Sequence, residues 1–437
     1  MRDPRTFREP RPLLLTNARV IDPSRGADYR GDVFLAEGVV KDASFGLAAA
    51  GVPEGAEVVD CRGAIVAPGL VDMRAFVGEP GFEHLETLAS ASHAAAAGGV
   101  TTLVCQPDTD PVVDEPAIVD FILRRARDTA VVRIHPMAAI TKALKGEEMT
   151  EMGLLKAAGA VAFTDAHRSV MNARVLRRAL TYARDFDALI VHHTEDATLS
   201  GGDMNQGEFA SRLGLSGIPK TAEAIILERD VRLVGDARGR YHAAALTCTE
   251  SLDILARAKE AGLPITASAS INHLSFNELD IAGYRSYFKV RPPLRADHDR
   301  QALIKALASG LIDVVVSDHT PQDVEGKRLP FSEAEHGAIG IETLLSAGLR
   351  LVHDGSVSLL TLLGALSTRP AQLLGLDAGS LRSGAPADII VIDPDMPFLL
   401  DPATLKSRSR NTPFDEARMT GRVLRTIVAG EVVYEYA

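Results

Sequence analysis

The sequence predicts an α/β fold in which a (β/α)8 barrel of the TIM type is joined to a small β-sandwich domain formed by both ends of the chain. Strand-like apolar runs alternate with helical patterns through the middle of the chain, which is typical of parallel strands joined by helices. Short β-rich runs occur at both ends. The 437 residues leave room for both parts, because such a barrel alone takes roughly 250 residues.

The predicted boundaries follow these changes of pattern. They are an N-terminal arm at 1–12, the first part of the β-sandwich at 13–66, the barrel at 67–378 and the second part of the sandwich at 379–437.

The predicted sandwich strands lie on both sides of the barrel segment. After the charged, proline-rich arm, β-rich runs occupy 13–23, 32–36 and 57–60, and similar runs occupy 387–394 and 423–434. Short runs of this kind, broken by glycine, aspartate and proline, are typical of small antiparallel strands. We therefore expect one small domain assembled from both chain ends.

The barrel segment alternates between the two patterns. Strand-like runs occupy 100–105, 131–136, 160–163, 188–193, 242–246, 264–268 and 312–317, and helical patterns occupy 84–97, 115–127, 172–185, 250–261 and about 340–353. A glycine-rich insert at 201–219 follows a predicted strand. We expect it at the carboxyl ends of the strands, because the functional loops of such barrels lie there.

Composition and charge exclude several classes of protein. No apolar window reaches the length of about 18 residues that a transmembrane helix needs, and residues 1–5 lead into charge and proline rather than an apolar signal core. The cysteines Cys61, Cys105 and Cys248 are odd in number and far apart, which predicts a reducing, cytoplasmic location without disulfides. The net charge of −11 argues against nucleic acid or an anionic membrane as a partner.

The stretch at 68–81 is the centre of the predicted site. An apolar run ends in polar residues, a Glu-Pro-Gly turn follows at 79–81, and a helical pattern comes next. Because side chains alternate along a strand, we expect Asp72, Arg74 and Phe76 to point to the same side.

This stretch resembles the first barrel strand of the dihydroorotases in the amidohydrolase superfamily. Their pattern is Asp-x-His-x-His, followed by an arginine and Glu-Pro-Gly, and this chain keeps Asp72 and the turn at 79–81. Further matches extend the resemblance over 17–434 and include 204–208, 240–242, 292–295, 317–319 and 411–414. The resemblance implies hydrolysis of a cyclic amide by a metal-activated water, for which zinc is the expected metal.

Only two of the six metal positions that the resemblance implies keep a ligand. They are His193 on the fifth strand and Asp318 on the eighth, and Asp318 is also the remnant of the family's general base. The other four positions carry Arg74, Phe76, Ala166 and Ala245. Catalytic zinc uses three protein ligands. We therefore expect no cofactor, and zinc only if the protein is active.

The substrate positions that the resemblance implies are also changed. Gly78 replaces an arginine, Asp108 and Arg291 each replace an asparagine, and Gln322 replaces a histidine. With Arg74, the residues Asp108, Arg291 and Gln322 are the remaining candidates for contact with a ligand.

Nearby histidines offer possible substitutes for the lost ligands. His192 lies one residue from His193, and His242 lies three from Ala245, so an odd offset predicts that both point away from the mouth and pack between barrel and helices. His167 lies in a loop just past its strand and escapes this restriction.

Arg74 needs a partner, because an unpaired guanidinium inside a barrel would cost several kcal/mol. Arg74 and Asp318 align on facing strand ends, so we hypothesise that Arg74 occupies the vacated metal position and pairs with Asp318 within about 6 Å. The alternative is that Arg74 points out of the mouth into solvent.

Three functions fit the sequence. The first is a non-catalytic dihydroorotase-like protein (a pseudo-dihydroorotase), for which the resemblance implies a structural partnership with aspartate transcarbamoylase in pyrimidine biosynthesis, within a homo- or hetero-oligomer. The second is an active dihydroorotase or related cyclic amidase that uses a residual site at His193 and Asp318. The third is a sensor of a pyrimidine intermediate, in which Arg74 and Arg291 bind a carboxylate.

Overall fold

The structure is a computed structural model that describes residues 11–436, so residues 1–10 of the predicted arm lie outside the described residues. The strands, numbered along the chain, are β1 Leu13–Asp22, β2 Ala27–Ala36, β3 Val39–Ser44, β4 Glu57–Asp60, β5 Ile65–Pro68, β6 Leu70–Ala75, β7 Val100–Cys105, β8 Arg133–Pro136, β9 Leu189–His193, β10 Met204–Asn205, β11 Gly217–Ile218, β12 Arg240–Ala244, β13 Ile265–Ser270, β14 Val314–Val316, β15 Ile389–Leu399, β16 Arg418–Val428 and β17 Glu431–Glu435.

Most of the helices connect the barrel strands, whereas α1 lies in the β domain and α6 in the insert at 201–219. They are α1 Leu47–Ala50, α2 Leu88–Ala97, α3 Pro116–Thr129, α4 Met152–Ala158, α5 Ala173–Arg184, α6 Glu208–Leu213, α7 Thr221–Ala237, α8 Thr249–Glu260, α9 Ile271–Ser275, α10 Asp297–Ser309, α11 Val324–Arg328, α12 Leu344–His353, α13 Leu359–Leu363 and α14 Arg369–Leu374. Within 11–436, none of these helices combines the length and the apolar character that crossing a membrane requires.

Both chain ends contribute to one sheet. Its strand order is β17-β16-β15-β5-β1-β2-β3, and β4 pairs with β1. The antiparallel pairing of β15 with β5 joins the C-terminal part to the N-terminal part. This sheet has its own cluster of buried residues, which includes Leu15, Val33 and Ile389. The expected assembly of a small β domain from both ends is confirmed, although its strands are continuous in a single sheet.

The barrel strands form two parallel sheets that single-residue pairings join. One sheet has the order β6-β7-β8 and the other the order β14-β13-β12-β9. Phe163 pairs with Ala138 on one side and Ile190 on the other, and Ala75 pairs with His319. These pairings join the two sheets at both pairs of neighbouring edges. With Phe163 they give eight strand positions. The strand predicted at 160–163 is thus reduced to the single pairing residue Phe163.

Asp72 does not share a side with Arg74 and Phe76, so that prediction was wrong. Met73 packs in the cluster of apolar residues inside the barrel, and the register of β6 shifts between Asp72 and Ala75. This irregularity breaks the two-residue alternation of the strand. The Asp72 carboxylate instead accepts hydrogen bonds from the backbone amide and the hydroxyl of Ser317. Asp72 therefore fastens the first barrel strand to the end of the eighth.

The insert at 201–219 folds back onto the strand ends. Its strands β10 and β11 pair with each other, and the buried Arg295 fixes them to the barrel. The Arg295 guanidinium donates hydrogen bonds to the Asn205 side chain at 3.0 Å, the Ile218 carbonyl at 2.7 Å and the Thr247 hydroxyl at 3.1 Å. Two of the segments that carry the family resemblance, 204–208 and 292–295, thus meet in a structural contact.

Candidate functional site in the barrel mouth

A cavity of about 300 Å³ opens at the carboxyl ends of the barrel strands. Its lining is mixed, with apolar side chains on the wall and polar groups among them. The lining residues are Phe76, Phe82, Leu85, Asp108, His167, Val290, Arg291, Asp318, Thr320, Gln322, His336, Gly337 and Ala338. Barrel active sites occupy this end of the fold, so this cavity is the candidate functional site.

Arg74 lies beneath the cavity and pairs with Asp318. Its Nε donates to Asp318 Oδ1 at 2.7 Å, and the two side chains are only 3% and 5% exposed. Its Nη2 lies 2.9 Å from Nδ1 of His167. Because a guanidinium only donates, His167 Nδ1 is the acceptor. Arg74 therefore binds both a carboxylate and an imidazole, and it does not point into solvent.

The titration of these groups agrees with the hydrogen bonds. Burial alone would raise the pKa of Asp318, but the adjacent charge of Arg74 and its hydrogen bond hold the pKa below the usual range. Burial, together with the charge of Arg74, lowers the pKa of His167 to about 3. At neutral pH the pair is therefore a carboxylate and a guanidinium, and His167 is uncharged.

His193 lies deeper in the mouth and contacts Glu195 rather than Asp318. His193 Nε2 is 3.5 Å from Glu195 Oε2, which is too long for a good hydrogen bond. The Arg291 guanidinium pairs with Glu195 Oε1 at 2.9 Å. Burial would raise the pKa of Glu195, but His193 and Arg291 lower it below the ordinary value. Glu195 was not predicted, although its offset of two residues from His193 is the spacing of one strand face.

Asp108 and Gln322 both line the cavity, but they differ in their bonding. The Gln322 amide nitrogen donates to the His336 carbonyl at 2.9 Å. Asp108 is half-buried, and its enclosed Oδ1 has no hydrogen-bond partner among residues 11–436. Burial raises the pKa of Asp108 to about 6. Of the predicted contact residues, Asp108 is thus the one whose carboxylate is still free to bind a ligand.

The positions of the replaced ligands keep an unusual backbone. Ala166 and Ala245 have φ of +55° and +53°, and Asp318 has φ of +52°. This left-handed conformation is uncommon for residues other than glycine and occurs most often at functional sites. Phe76, the fourth replacement, lies 9% exposed on the cavity wall, with its ring centroid 6.0 Å from that of Phe82.

The neighbouring histidines do not restore a ligand set. His192 packs outside the barrel as expected, where its Nδ1 lies 2.7 Å from Asp230 of α7. The expectation for His242 was wrong, because its neighbour Tyr241 points outward to Asp230 and alternation places His242 inside the barrel. The left-handed φ of Ala245 explains the error, since an offset counted through it no longer predicts the face.

The residues present do not fit the metal centre that the resemblance implies. Asp318 is already bound by Arg74, and His193 alone remains of the other five positions. Across residues 11–436, no group of three or more His, Cys, Asp or Glu side chains is arranged to hold a metal ion. A catalytic zinc site requires three protein ligands and an open position, whereas here a guanidinium is bound to one of the two remnants.

The segments that carry the resemblance mainly hold the scaffold together. Asn411, in the segment 411–414, donates to the carbonyls of Thr320 and Gly337 at 3.1 Å and accepts from the backbone N–H of Gln322. Asp165, beside Ala166, accepts from the backbone amides of Ile140 and Thr141. Fold-supporting contacts are therefore present where the ligands have been replaced.

Comparisons with known proteins give the family. The family described as "Dihydro-orotase-like" matches residues 63–251, and the one described as "Amidohydrolase family" matches 342–434. The chain is 41% identical to a dihydroorotase of Citrifermentans bemidjiense over 424 residues, covering 97% of this chain and 99% of that protein. It is 39% identical to a dihydroorotase of Ehrlichia chaffeensis, with 96% and 94% covered.

Solved structures show the same fold. The L-hydantoinase of Arthrobacter aurescens superimposes with a TM-score of 0.88 at 24% identity, covering 97% of this chain and 96% of that one. The dihydropyrimidinase of Brevibacillus agri gives a TM-score of 0.84 at 22% identity, with 97% and 95% covered. The near-complete match to relatives about 40% identical establishes that the chain belongs to the dihydroorotase family of the amidohydrolase superfamily.

Proposed function

We propose that this chain is a dihydroorotase-like protein of pyrimidine biosynthesis that has lost hydrolysis and acts in the cytoplasm as a structural partner of aspartate transcarbamoylase. One observation supports the loss of hydrolysis most directly. The guanidinium of Arg74 lies 2.7 Å from Asp318, one of the two remaining ligand positions. The proposal therefore includes no metal cofactor.

Hydrolysis of a cyclic amide needs an activated water and a free general base. A zinc ion lowers the pKa of its bound water to about 7, which produces the attacking hydroxide. The described residues offer no ligand set for such an ion. Asp318, the remnant general base, accepts a hydrogen bond from Arg74, and its lowered pKa makes it a weaker base. Both requirements for the reaction are therefore weakened by the same arginine.

The first test measures turnover and metal content together. We expect the purified protein to hydrolyse dihydroorotate no faster than buffer, with or without added zinc and with or without a chelator. Metal analysis should find less than one zinc per chain. The dihydroorotase of C. bemidjiense, assayed in parallel, controls for the assay itself. Stoichiometric zinc together with chelator-sensitive turnover would contradict the proposed inactivity.

The second candidate function is an active dihydroorotase or related cyclic amidase with a residual site at His193 and Asp318. The relatives that are about 40% identical carry the name dihydroorotase, which favours this candidate. This candidate requires the Asp318 carboxylate to break its ion pair with Arg74, because only then could it act as a general base. The turnover experiment separates the two candidates.

The partnership with aspartate transcarbamoylase rests on the family resemblance and on the retained scaffold. The insert and the segment 411–414 are held by buried hydrogen bonds although the ligands beside them are replaced. A fold that is retained although its metal ligands are replaced is consistent with selection for a function of its outer surface. On this proposal the protein is part of a hetero-oligomer.

The partnership is tested by size-exclusion chromatography with light scattering. Mixed at micromolar concentration with the aspartate transcarbamoylase of the same organism, the protein should elute in one peak whose mass equals a sum of both chains. Each protein run alone provides the reference masses. Two independent peaks at that concentration would exclude a stable complex.

A further inference from the structure

The cavity in the barrel mouth contains arginines that are already neutralised. Arg74 pairs with Asp318 at 2.7 Å, and Arg291 pairs with Glu195 at 2.9 Å. Both carboxylates are buried against these guanidiniums, with Asp318 5% exposed and Glu195 1% exposed. Each positive charge at the cavity therefore lies beside a carboxylate, although the enclosed Nη1 of Arg74 has no hydrogen-bond partner among residues 11–436.

The imidazoles on the lining contribute no charge at neutral pH. Burial and the neighbouring positive groups lower the pKa of His167 to about 3 and that of His336 to about 4. His336 Nδ1 is enclosed and has no hydrogen-bond partner among the described residues. These two side chains can accept or donate one hydrogen bond each, but they do not attract a carboxylate.

Asp108 is the carboxylate on the lining that lacks a matched cation. No lysine, arginine or histidine of residues 11–436 forms an ion pair with it, and its Oδ1 has no hydrogen-bond partner. The charged groups that face it are Arg74 and Arg168. Arg74 is committed to Asp318, and Arg168 is exposed, where water and salt screen its charge. Asp108 thus contributes a carboxylate to the lining that no ion pair among residues 11–436 neutralises.

The wall beside Asp108 is apolar and partly aromatic. Phe76 and Phe82 lie with ring centroids 6.0 Å apart, and Leu85, Val290 and Ala338 complete this surface. An apolar wall with few polar groups is typical of small-molecule sites, and about 300 Å³ is the lower end of their usual volume. Aromatic faces also attract cations at short range.

We propose that the barrel mouth binds a small organic cation, an amine or amidinium attached to a flat apolar group, with Asp108 as its counter-charge. The apolar part of the ligand lies against Phe76 and Phe82, and its N–H groups donate to the Asp108 carboxylate. A site for dihydroorotate would need a positive counter-charge, because that ligand carries a carboxylate, whereas the counter-charge proposed here is negative. This inference goes beyond the proposed function and does not depend on it, because a partner of aspartate transcarbamoylase needs no ligand in its mouth.

Three molecules of nearly identical shape test the inference on the unaltered protein. Benzamidine is a cation, benzamide is neutral and benzoate is an anion, and all three fit a cavity of about 300 Å³. Calorimetry at pH 8 should show benzamidine binding at least about tenfold more tightly than benzamide, because a hydrogen bond to a charged partner adds about 1.5–3 kcal/mol. Benzoate should bind most weakly of the three.

A variant and a matched control assign the preference to one carboxylate. Asp108→Asn should bring benzamidine and benzamide to within about twofold of each other, since it removes the charge but keeps the shape. Asp110→Asn changes the net charge equally at an exposed position of the same loop, and it should leave the preference intact. Thermal unfolding of both variants confirms that they are folded.

Three results would overturn the inference. They are benzoate binding as tightly as benzamidine, an unchanged preference for benzamidine in Asp108→Asn, and no binding of benzamidine at concentrations up to about 10 mM, which corresponds to less than about 3 kcal/mol. Dihydroorotate turnover and the mass of the complex with aspartate transcarbamoylase test the proposed function separately, so the two failures are distinguishable.

Discussion

Replacing Arg74 with methionine is expected to lower the free energy of unfolding by about 3–5 kcal/mol. Methionine fills a similar volume but leaves Asp318 buried at 5% exposure without its guanidinium. An uncompensated buried carboxylate is more costly than a lost contact, since the charge must be protonated or hydrated within the fold. Urea denaturation followed by circular dichroism measures the change.

The double variant distinguishes the charge from the packing. Arg74→Met with Asp318→Asn should be more stable than Arg74→Met alone, because it removes the unpaired charge. The exposed pair of Arg177 and Asp236, with side chains 58% and 54% exposed, is the matched control. Arg177→Met should cost less than about 1 kcal/mol. A loss of under 1 kcal/mol for Arg74→Met would show that the pair does not stabilise the mouth.

The second large effect is expected from replacing Arg295 with methionine. Its guanidinium is 3% exposed and donates to Asn205, Ile218 and Thr247. A hydrogen bond from a charged donor contributes about 1.5–3 kcal/mol, and the buried Asn205 side-chain oxygen would be left unpaired, so we expect a loss of at least about 3 kcal/mol. Because β10 and β11 pair with each other through only two residues each, the insert should open before the barrel unfolds.

Hydrogen exchange read by mass spectrometry detects this opening. Amides of residues 204–218 should exchange faster in Arg295→Met than in the unaltered protein, while those of β12 and β13 remain protected. Arg212, on α6 of the same insert, is 70% exposed and pairs only with Glu208 at the surface. Arg212→Met should change neither exchange nor stability measurably. Uniform exchange across the whole barrel in Arg295→Met would instead indicate a global effect.

The barrel was predictable because its strands are buried runs between helical patterns, but several of its helices were missed, of which α7 and α10 are the longest. The longest helix, α7, was not expected, and neither was α10. The residues just before them, Lys220 and Ala296, make no side-chain capping bond, so the usual start signal is absent. In α7 the buried Glu223 and Asp230 also interrupt the apolar pattern. By contrast, α2 begins at a Thr87 capping box and was predicted.

Contacts in the site were predictable where they depend only on which strand ends the residues occupy. Arg74 and Asp318 were expected to meet because they align on facing strand ends, and they do. Asp72 and His242 could not be placed correctly, because a register shift in β6 and a left-handed residue at Ala245 alter the alternation of side chains. Neither irregularity coincides with a glycine or proline, which are the residues that most often mark a break in a strand.

The Arg74 guanidinium has a consequence for how this protein depends on its surroundings. A bound ion dissociates when its free concentration falls, and a fold that relies on it loses stability by mass action. A cation attached to the main chain has no such equilibrium. The seam between the first and eighth strands is therefore closed by a charge that neither chelation nor scarcity of zinc can remove, and the chain would retain its shape in a cell starved of that metal.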